Sequence, residues 1–443
     1  MIKVSAVVIS MLLLLVAVPS YAVFIDYQDT GGTHELSVAG DWWALTSGGD
    51  PNTRAYSGLP GFSDNAYIRT GRSDLTFSSG TLNAKGMMIG GESFTANPPT
   101  TTTVVTATAG TIETRAVDDT GTSNNLYIGY RYNATLTVDG ATVKAMTADG
   151  SAGSMLSLGG KGAATTGTLN LISGEVQFGR IYAAWNNGIA VINHSGGTMR
   201  QVAGGNTFFG QTSTAANAKA TYNLSGTGLL SYGSGQWNVG YRGGKSLFNQ
   251  TGGSAWFGAT GTGVNLGRSD QAGSPTTDSE LRILGGRMTL AGSMQIGVSG
   301  YARGKLLLNQ TGQLDMAGSL TSVGSATYIN ALELIVGSAS NFQVTVGGNL
   351  NVGSNIGFRI TLDSYAPTVG QTWRVATVGG TTTLPLDGYH PLAERYDFSN
   401  EDGLGWCLYK DAGNEMYLEY VPEPATLTLL GLGGLALLRR KRS

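Results

Sequence analysis

Apolar and polar positions alternate with a period of two through most of residues 82–357, in short runs closed by glycine. Such alternation predicts strands, and a sustained 3.6-residue period is confined to the two ends of the chain. One pattern, apolar-x-apolar-Gly, returns throughout: Leu126–Gly129, Leu156–Gly159, Phe208–Gly210, Trp237–Gly240, Val264–Gly267, Met294–Gly297 and Leu350–Gly353, with a weaker copy ending at Gly324. From Gly129 the steps between these glycines are 30, 51, 30, 27, 30, 27 and 29 residues. The long step contains Tyr182-Ala183-Ala184-Trp185-Asn186, a degenerate copy, so the unit is 25–30 residues.

Each unit carries two further runs. The second is Ala134–Val138, Gly167–Leu171, Ala220–Leu224, Ser279–Ile283 or Lys305–Asn309. The third follows a glycine turn, as in Ala255-Trp256-Phe257, Arg287–Leu290 and Gln313–Met316. Three short strands cannot bury their own apolar side, whereas stacked units bury a continuous core. The expected fold is therefore all-β: a right-handed parallel β-helix, or β-solenoid, of 25–30-residue three-strand coils. The hand follows from the preference of parallel crossovers. A β-propeller needs four strands and ~40–50 residues per blade, more than these units contain.

Five asparagines begin N-x-[ST] triplets, at Asn133, Asn193, Asn223, Asn249 and Asn309. The last four each stand three residues before a glycine at one point of the repeat. That regularity favours a structural ladder of Asn193, Asn223, Asn249 and Asn309 over glycosylation, because Asn suits left-handed turns and stacked amides bond one another. Residues 23–81 are richer in aromatics, Pro and Asp and are expected to form an N-terminal cap with the first strands. The solenoid repeats occupy 82–357. The longer strands of 358–420 form a C-terminal β cap, since open solenoid ends invite edge pairing.

The ends change the picture from fold to address. Lys3, an apolar run from Val7 to Val18 and the small residues Ser20 and Ala22 read as a secretory signal over 1–22, cleaved after Ala22. The lone cysteine, Cys407, rules out an intramolecular disulfide and lies in an apolar run as a buried small residue. With Lys3, Glu423 and the four basic residues of the tail set aside, 22 basic and 28 acidic residues remain, a net charge of −6. A mildly acidic body carries no nucleic-acid footprint.

Val421-Pro422-Glu423-Pro424 introduces residues 421–443. An apolar stretch from Ala425 to Leu438 follows, then Arg439-Arg440-Lys441-Arg442. The prolines hold Glu423 in extended chain. The apolar stretch predicts a short transmembrane helix, and the basic end is a stop that stays cytoplasmic. Pro422, Glu423 and Pro424, with that helix and basic end, closely resemble the PEP-CTERM sorting signal of Gram-negative bacteria that make exopolysaccharide. The resemblance implies an exosortase as processing partner, a transient or retained membrane anchor, and delivery to the cell surface or extracellular matrix. The repeats are more loosely similar to autotransporter-associated β-solenoid repeats.

Candidate chemistry is sparse. Residues 124–357 hold eight carboxylates: Asp139, Asp149, Glu175, Asp270, Asp278, Glu280, Asp315 and Glu333. They share no register. The three histidines, His34, His194 and His390, are far apart, and no zinc, triad or phosphate-loop pattern occurs. The expectation is a non-catalytic surface or matrix structural protein, without metal or cofactor, associated with exopolysaccharide or biofilm. The alternative is a β-helix carbohydrate-binding protein or polysaccharide lyase or hydrolase, with Tyr130, Tyr132, Trp237 and Tyr241 as sugar-stacking candidates.

Overall fold

The structure, a computed structural model, describes residues 24–421 apart from 28–31, 45–57, 69–71, 92–100, 117–124, 161–164, 186, 212–217, 259–262, 269–276, 299–301, 324–329, 340, 353–355, 385–394 and 400–404. Signal residues 1–22 and tail residues 422–443 lie outside this range. Among the described residues helix is confined to Ala39–Asp41, and no helix is long and apolar enough to cross a membrane. The C-terminal helix expected from the sequence falls on residues outside the description.

The body is an all-β parallel solenoid with three faces. The first face is a 14-stranded sheet built from the recurring apolar-x-apolar-Gly runs. Leu126–Ile128, Met155–Leu158, Arg180–Ala183, Thr207–Gln211, Gln236–Tyr241 and Gly263–Arg268 follow one another across it, all parallel. The degenerate copy around Tyr182 thus takes an ordinary place in the sheet. The second and third faces hold the other two runs of each coil. Some strands serve both: Ala134–Thr147, Thr166–Phe178, Lys245–Phe257 and Thr277–Leu290 pass from one face to the next through an irregular register.

Stacking is in register over long distances. One inward row on the second face runs Leu75, Val105, Leu136, Leu169, Ile192, Tyr222, Phe248, Leu281, Leu306, Leu332. All ten side chains are buried. Adjacent strands lie ~4.8 Å apart, so like residues in successive coils touch directly. Tyr222 and Phe248 stack with ring centroids 4.8 Å apart. Trp237, from the first face, meets Phe209, Tyr232 and Phe257 at 5.2, 5.0 and 5.6 Å. Aromatics from all three faces therefore interlock in mid-solenoid.

The motif glycine has a structural cause. Gly129, Gly159, Gly210, Gly240, Gly267 and Gly297 all take φ between +60° and +79° where the chain leaves the first face. A Cβ at Gly159 would sit 2.1 Å from the Ile189 carbonyl oxygen, so both the backbone angle and the space demand glycine.

The first face differs from the other two. Strands of the second and third faces alternate buried and half-buried, as Ala134–Val138 does, but Asn65–Ile68, Gly86–Ile89, Leu126–Ile128 and Met155–Leu158 are buried throughout. Their outward residues join a second apolar cluster of Tyr67, Met88, Tyr127, Tyr130 and Met155. Further along, half-buried Tyr182 and Phe208 stack at 5.4 Å, and the next outward positions are the buried polar Asn238 and Asn265. Asn265 donates to Asn238 at 2.9 Å, and Asn238 donates to the Thr207 carbonyl at 3.0 Å.

The ends close with antiparallel pairs. Phe24–Tyr27 lies parallel to Asn65–Ile68 and antiparallel to Trp42–Ala44, and the buried Trp42 indole donates to the Leu36 carbonyl at 3.0 Å. At the other end, Thr372–Val378 pairs parallel with Gln343–Val346 and antiparallel with Met416–Val421. Gly405–Lys410 and Arg395–Ser399 extend that antiparallel sheet. Trp373, Trp406, Leu418 and the thiol-bearing Cys407 are buried there.

One titratable group sits in the apolar stack. His194 shares an inward row with Leu171, Leu224 and Gln250 and is fully buried. Its Nε2 donates to the Gly197 carbonyl at 3.1 Å, which leaves Nδ1 to accept from the Tyr222 hydroxyl at 2.9 Å. Burial holds its pKa below the ordinary histidine value, against the opposing effect of the Gly197 and Gly196 backbone. Two outcomes are expected. Trp237→Ala should cost ~3–5 kcal/mol in urea denaturation of the full chain, the usual result of emptying a large aromatic site. For His194 the unfolded imidazole titrates near ~6.5 and the folded one lower, so the unfolded chain binds more protons between them. Stability should fall as pH drops below that value. The decline should vanish in His194→Gln, read as the urea midpoint between pH 8 and 5. An equal decline in both proteins would place its origin elsewhere.

Candidate functional site

The expected asparagine ladder lies on the second face, pointing outward. Asn170 donates to the Thr137 hydroxyl at 3.2 Å, Asn193 to Asn170 at 2.9 Å and Asn223 to Asn193 at 2.9 Å. Asn249 is the register partner of Asn223, but its Oδ1 is buried without a hydrogen-bond partner. Asn309 stands apart. It donates to the Leu284 carbonyl at 3.0 Å and accepts from the Thr311 and Gly312 amides, closing its own turn. Asn170 belongs to the ladder although it begins no N-x-[ST] triplet. Its position in Gly167–Leu171, matching Asn223 in Ala220–Leu224, is the signal that would have found it.

Glu175, Asp315 and Asp139 lie on outward rows and meet bases or hydroxyls from neighbouring coils. Glu175 pairs with Arg200 at 2.8 Å, Asp315 with Arg287 at 2.9 Å, and Asp139 accepts from Ser173 at 2.8 Å. Asp149 closes a turn with Thr147 and Ser151, whose hydrogen bonds pull its pKa down to about 2. Glu280 and Glu333 share one lysine: Lys305 Nζ lies 3.2 Å from the first and 2.5 Å from the second. Burial opposes ionisation of Glu280, but the Arg282 hydrogen bond and the charges of Lys305 and Arg282 outweigh it and hold its carboxyl below the usual range. A carboxylate so held favours its ionised form and is poorly suited to donate a proton. Asp270 lies outside the described residues. Among the described residues no three His, Cys, Asp or Glu side chains converge as metal ligands.

The four aromatics considered for sugar stacking are differently placed. Trp237 is an interior residue. Tyr130 is buried against Tyr127 at 4.8 Å, and Tyr241 against Phe208 at 4.6 Å with the Arg242 guanidinium 4.9 Å above its ring. Tyr132 is half-buried. Among the described residues the exposed indole is Trp256 on the third face, 47% accessible. Its register neighbours are Ser231 and Thr289, and exposed Leu229 lies diagonal to it. The ring folds back over Gly258, where a Cβ would lie 1.9 Å from Cζ2 and Cη2. Glycine thus lets the indole lie flat and present its other side. Period-two alternation marks Trp256 as outward, but only the folded chain shows the glycine beneath it.

A second feature is a groove of about 480 Å³ on the second face, lined by Lys219, Lys245, Asp278, Glu280, Arg303 and Lys305 among others.

The predicted signal end at Ala22, the triplet Pro422, Glu423 and Pro424, and the basic residues Arg439, Arg440, Lys441 and Arg442 lie outside the described residues. The fold holds the chain up to their threshold: Val421 ends a strand and faces Gly405. No curated protein and no solved structure matches the chain at a significant level. The family model for the PEP-CTERM protein-sorting motif matches residues 421–442. That match indicates export, marks the tail as a membrane-anchoring sorting signal, and implies processing by an exosortase.

Proposed function

We propose that this chain is a non-catalytic structural protein of the cell surface or extracellular matrix, delivered by an exosortase and associated with exopolysaccharide or biofilm. The observation that carries the reading is the tail, in which Pro422-Glu423-Pro424, an apolar stretch and Arg439–Arg442 follow one another within the matched segment. The apolar stretch anchors the chain in the membrane before processing. The body supports the reading through its chemistry. Several of its described acids, Glu175, Glu280, Asp315 and Glu333, pair with bases of neighbouring coils, and its repeats, of the autotransporter-associated type, serve as a rigid spacer. Replacing Glu423 with Ala should leave full-length protein in the membrane fraction, followed by immunoblotting of cells and medium. Normal release of the variant would overturn the sorting step.

A second reading, a carbohydrate-binding or carbohydrate-cleaving solenoid, is favoured by Trp256. A flat, exposed indole with hydroxyls on both sides suits stacking against a sugar ring. Trp256→Ala should abolish retention on a glycan array if the indole is the contact. A reducing-sugar assay of the same protein separates binding from cleavage. Turnover that one carboxylate substitution abolishes would overturn the non-catalytic reading.

A further inference from the structure

We propose that the groove on the second face binds an acidic polysaccharide, a chain of sugars bearing carboxylates or sulfates, laid along the solenoid axis. The groove runs from strand Lys219–Leu224 across Lys245–Phe257, Thr277–Leu290 and Ala302–Asn309 to Asn330–Val336. Four strand spacings of ~4.8 Å make it ~19 Å long, the reach of an extended polymer rather than a small anion.

Charge along this groove is unevenly spent. At one end Glu280, Lys305, Arg282 and Glu333 neutralise one another. Beside them Asp278 faces Arg303 in register. At the other end Lys219 and Lys245 are direct register partners, both exposed, and among the described residues neither has an ion pair. Like charges directly opposite on adjacent strands are destabilising. On a body of net charge −6 the pair is a conspicuous exception, and an anionic ligand would relieve the repulsion. Strand alternation turns Ser246 and Ser279 inward, so the groove's own surface is formed by the outward residues Lys245, Leu247, Asp278 and Glu280 on either side of them. Half-buried Thr221 and Leu247 lie in the outward row beside the lysines, and that row continues to Glu280 and Lys305. Cations beside a short half-buried floor of Thr221 and Leu247 match an acidic sugar chain, which offers anions and ring C–H faces at each step.

Other extended polymers fit less well. These strands are paired on both sides, so a peptide finds no edge to extend. Nucleic acid would meet two unpaired lysines on an acidic body, far short of a phosphate-tracking surface.

The proposal deepens the association with exopolysaccharide and rests on that part of the reading, not on the sorting step. Its test is calorimetric titration of the full chain in detergent micelles. The probes are an oligogalacturonate, a sulfated dextran oligomer, a neutral cello-oligosaccharide and a single-stranded DNA of similar length. At least one acidic glycan should bind, more weakly as salt rises, and which one binds identifies the anionic group. Lys219→Gln with Lys245→Gln should weaken that binding ~10–100-fold, the loss that two solvent-exposed hydrogen bonds of ordinary net strength give. Because the substitutions relieve repulsion, the urea midpoint should hold or rise. The double Arg variant should retain binding. Undiminished binding in the Gln variant, equal binding of the neutral glycan, binding of DNA as tight as that of the glycan, or no binding of any probe would each overturn the groove assignment. Retention by the Gln variant that is lost in Trp256→Ala would overturn the groove alone and leave the wider association standing.

Discussion

The structure depends on one constraint: a three-strand coil cannot bury its own apolar side and must hand it to the coil above and below. Parallel, in-register stacking satisfies that need and the backbone's hydrogen bonds together. It also forces each row to be chemically consistent, because residues one coil apart stand ~4.8 Å from each other. The inward row from Leu75 to Leu332 is apolar at all ten positions. Where the row beside it admits His194, the ring is satisfied by Tyr222 from the next coil and Gly197 from its own. The corners obey the same constraint. The Ile189 carbonyl passes so close to Gly159 that no side chain fits.

Stacking also governs the polar surface. An amide can donate upward and accept from below, so Asn170, Asn193 and Asn223 form a chain without any neighbour being left unpaired between them. Carboxylates cannot do this and instead recruit bases from adjacent coils. Glu175 with Arg200, Asp315 with Arg287, and Lys305 between Glu280 and Glu333 all cross from coil to coil. Such neutralisation leaves few groups free for chemistry. Among the described residues, Lys219 beside Lys245 and the indole of Trp256 are places where the stack has not consumed its own functional groups.

The ends resolve a different problem, the exposed edge of the first and last coils. Tyr27 and Trp42 meet at 5.3 Å at one end, and Trp373 and Trp406 at 6.0 Å at the other. Antiparallel strands at both ends take the hydrogen bonds that a further coil would have used. The last of them, Met416–Val421, runs to the residue before Pro422. The sorting signal therefore begins where the folded sheet stops.

Much of this was legible without coordinates. The repeat length, the three strands per coil, the degenerate copy at Tyr182 and the sorting motif all rest on local order. Glycines at fixed spacing, alternation of period two and a Pro-Glu-Pro triplet before an apolar run each act within a few residues. The other features depend on which residues share a register. Asn193 bonds Asn223 while Asn309 turns back on itself. Trp237 goes inward and Trp256 lies flat outside. Lys219 meets Lys245, but Lys305 is shared by two acids. The burial of much of the first face on both sides was likewise invisible, because an outward Tyr127 or Asn238 reads as solvent-facing when only its own strand is considered. Sequence determined the coil, since a coil is set by its own turns. Tertiary structure decided the surface, since every contact on it is made with a residue about one coil away.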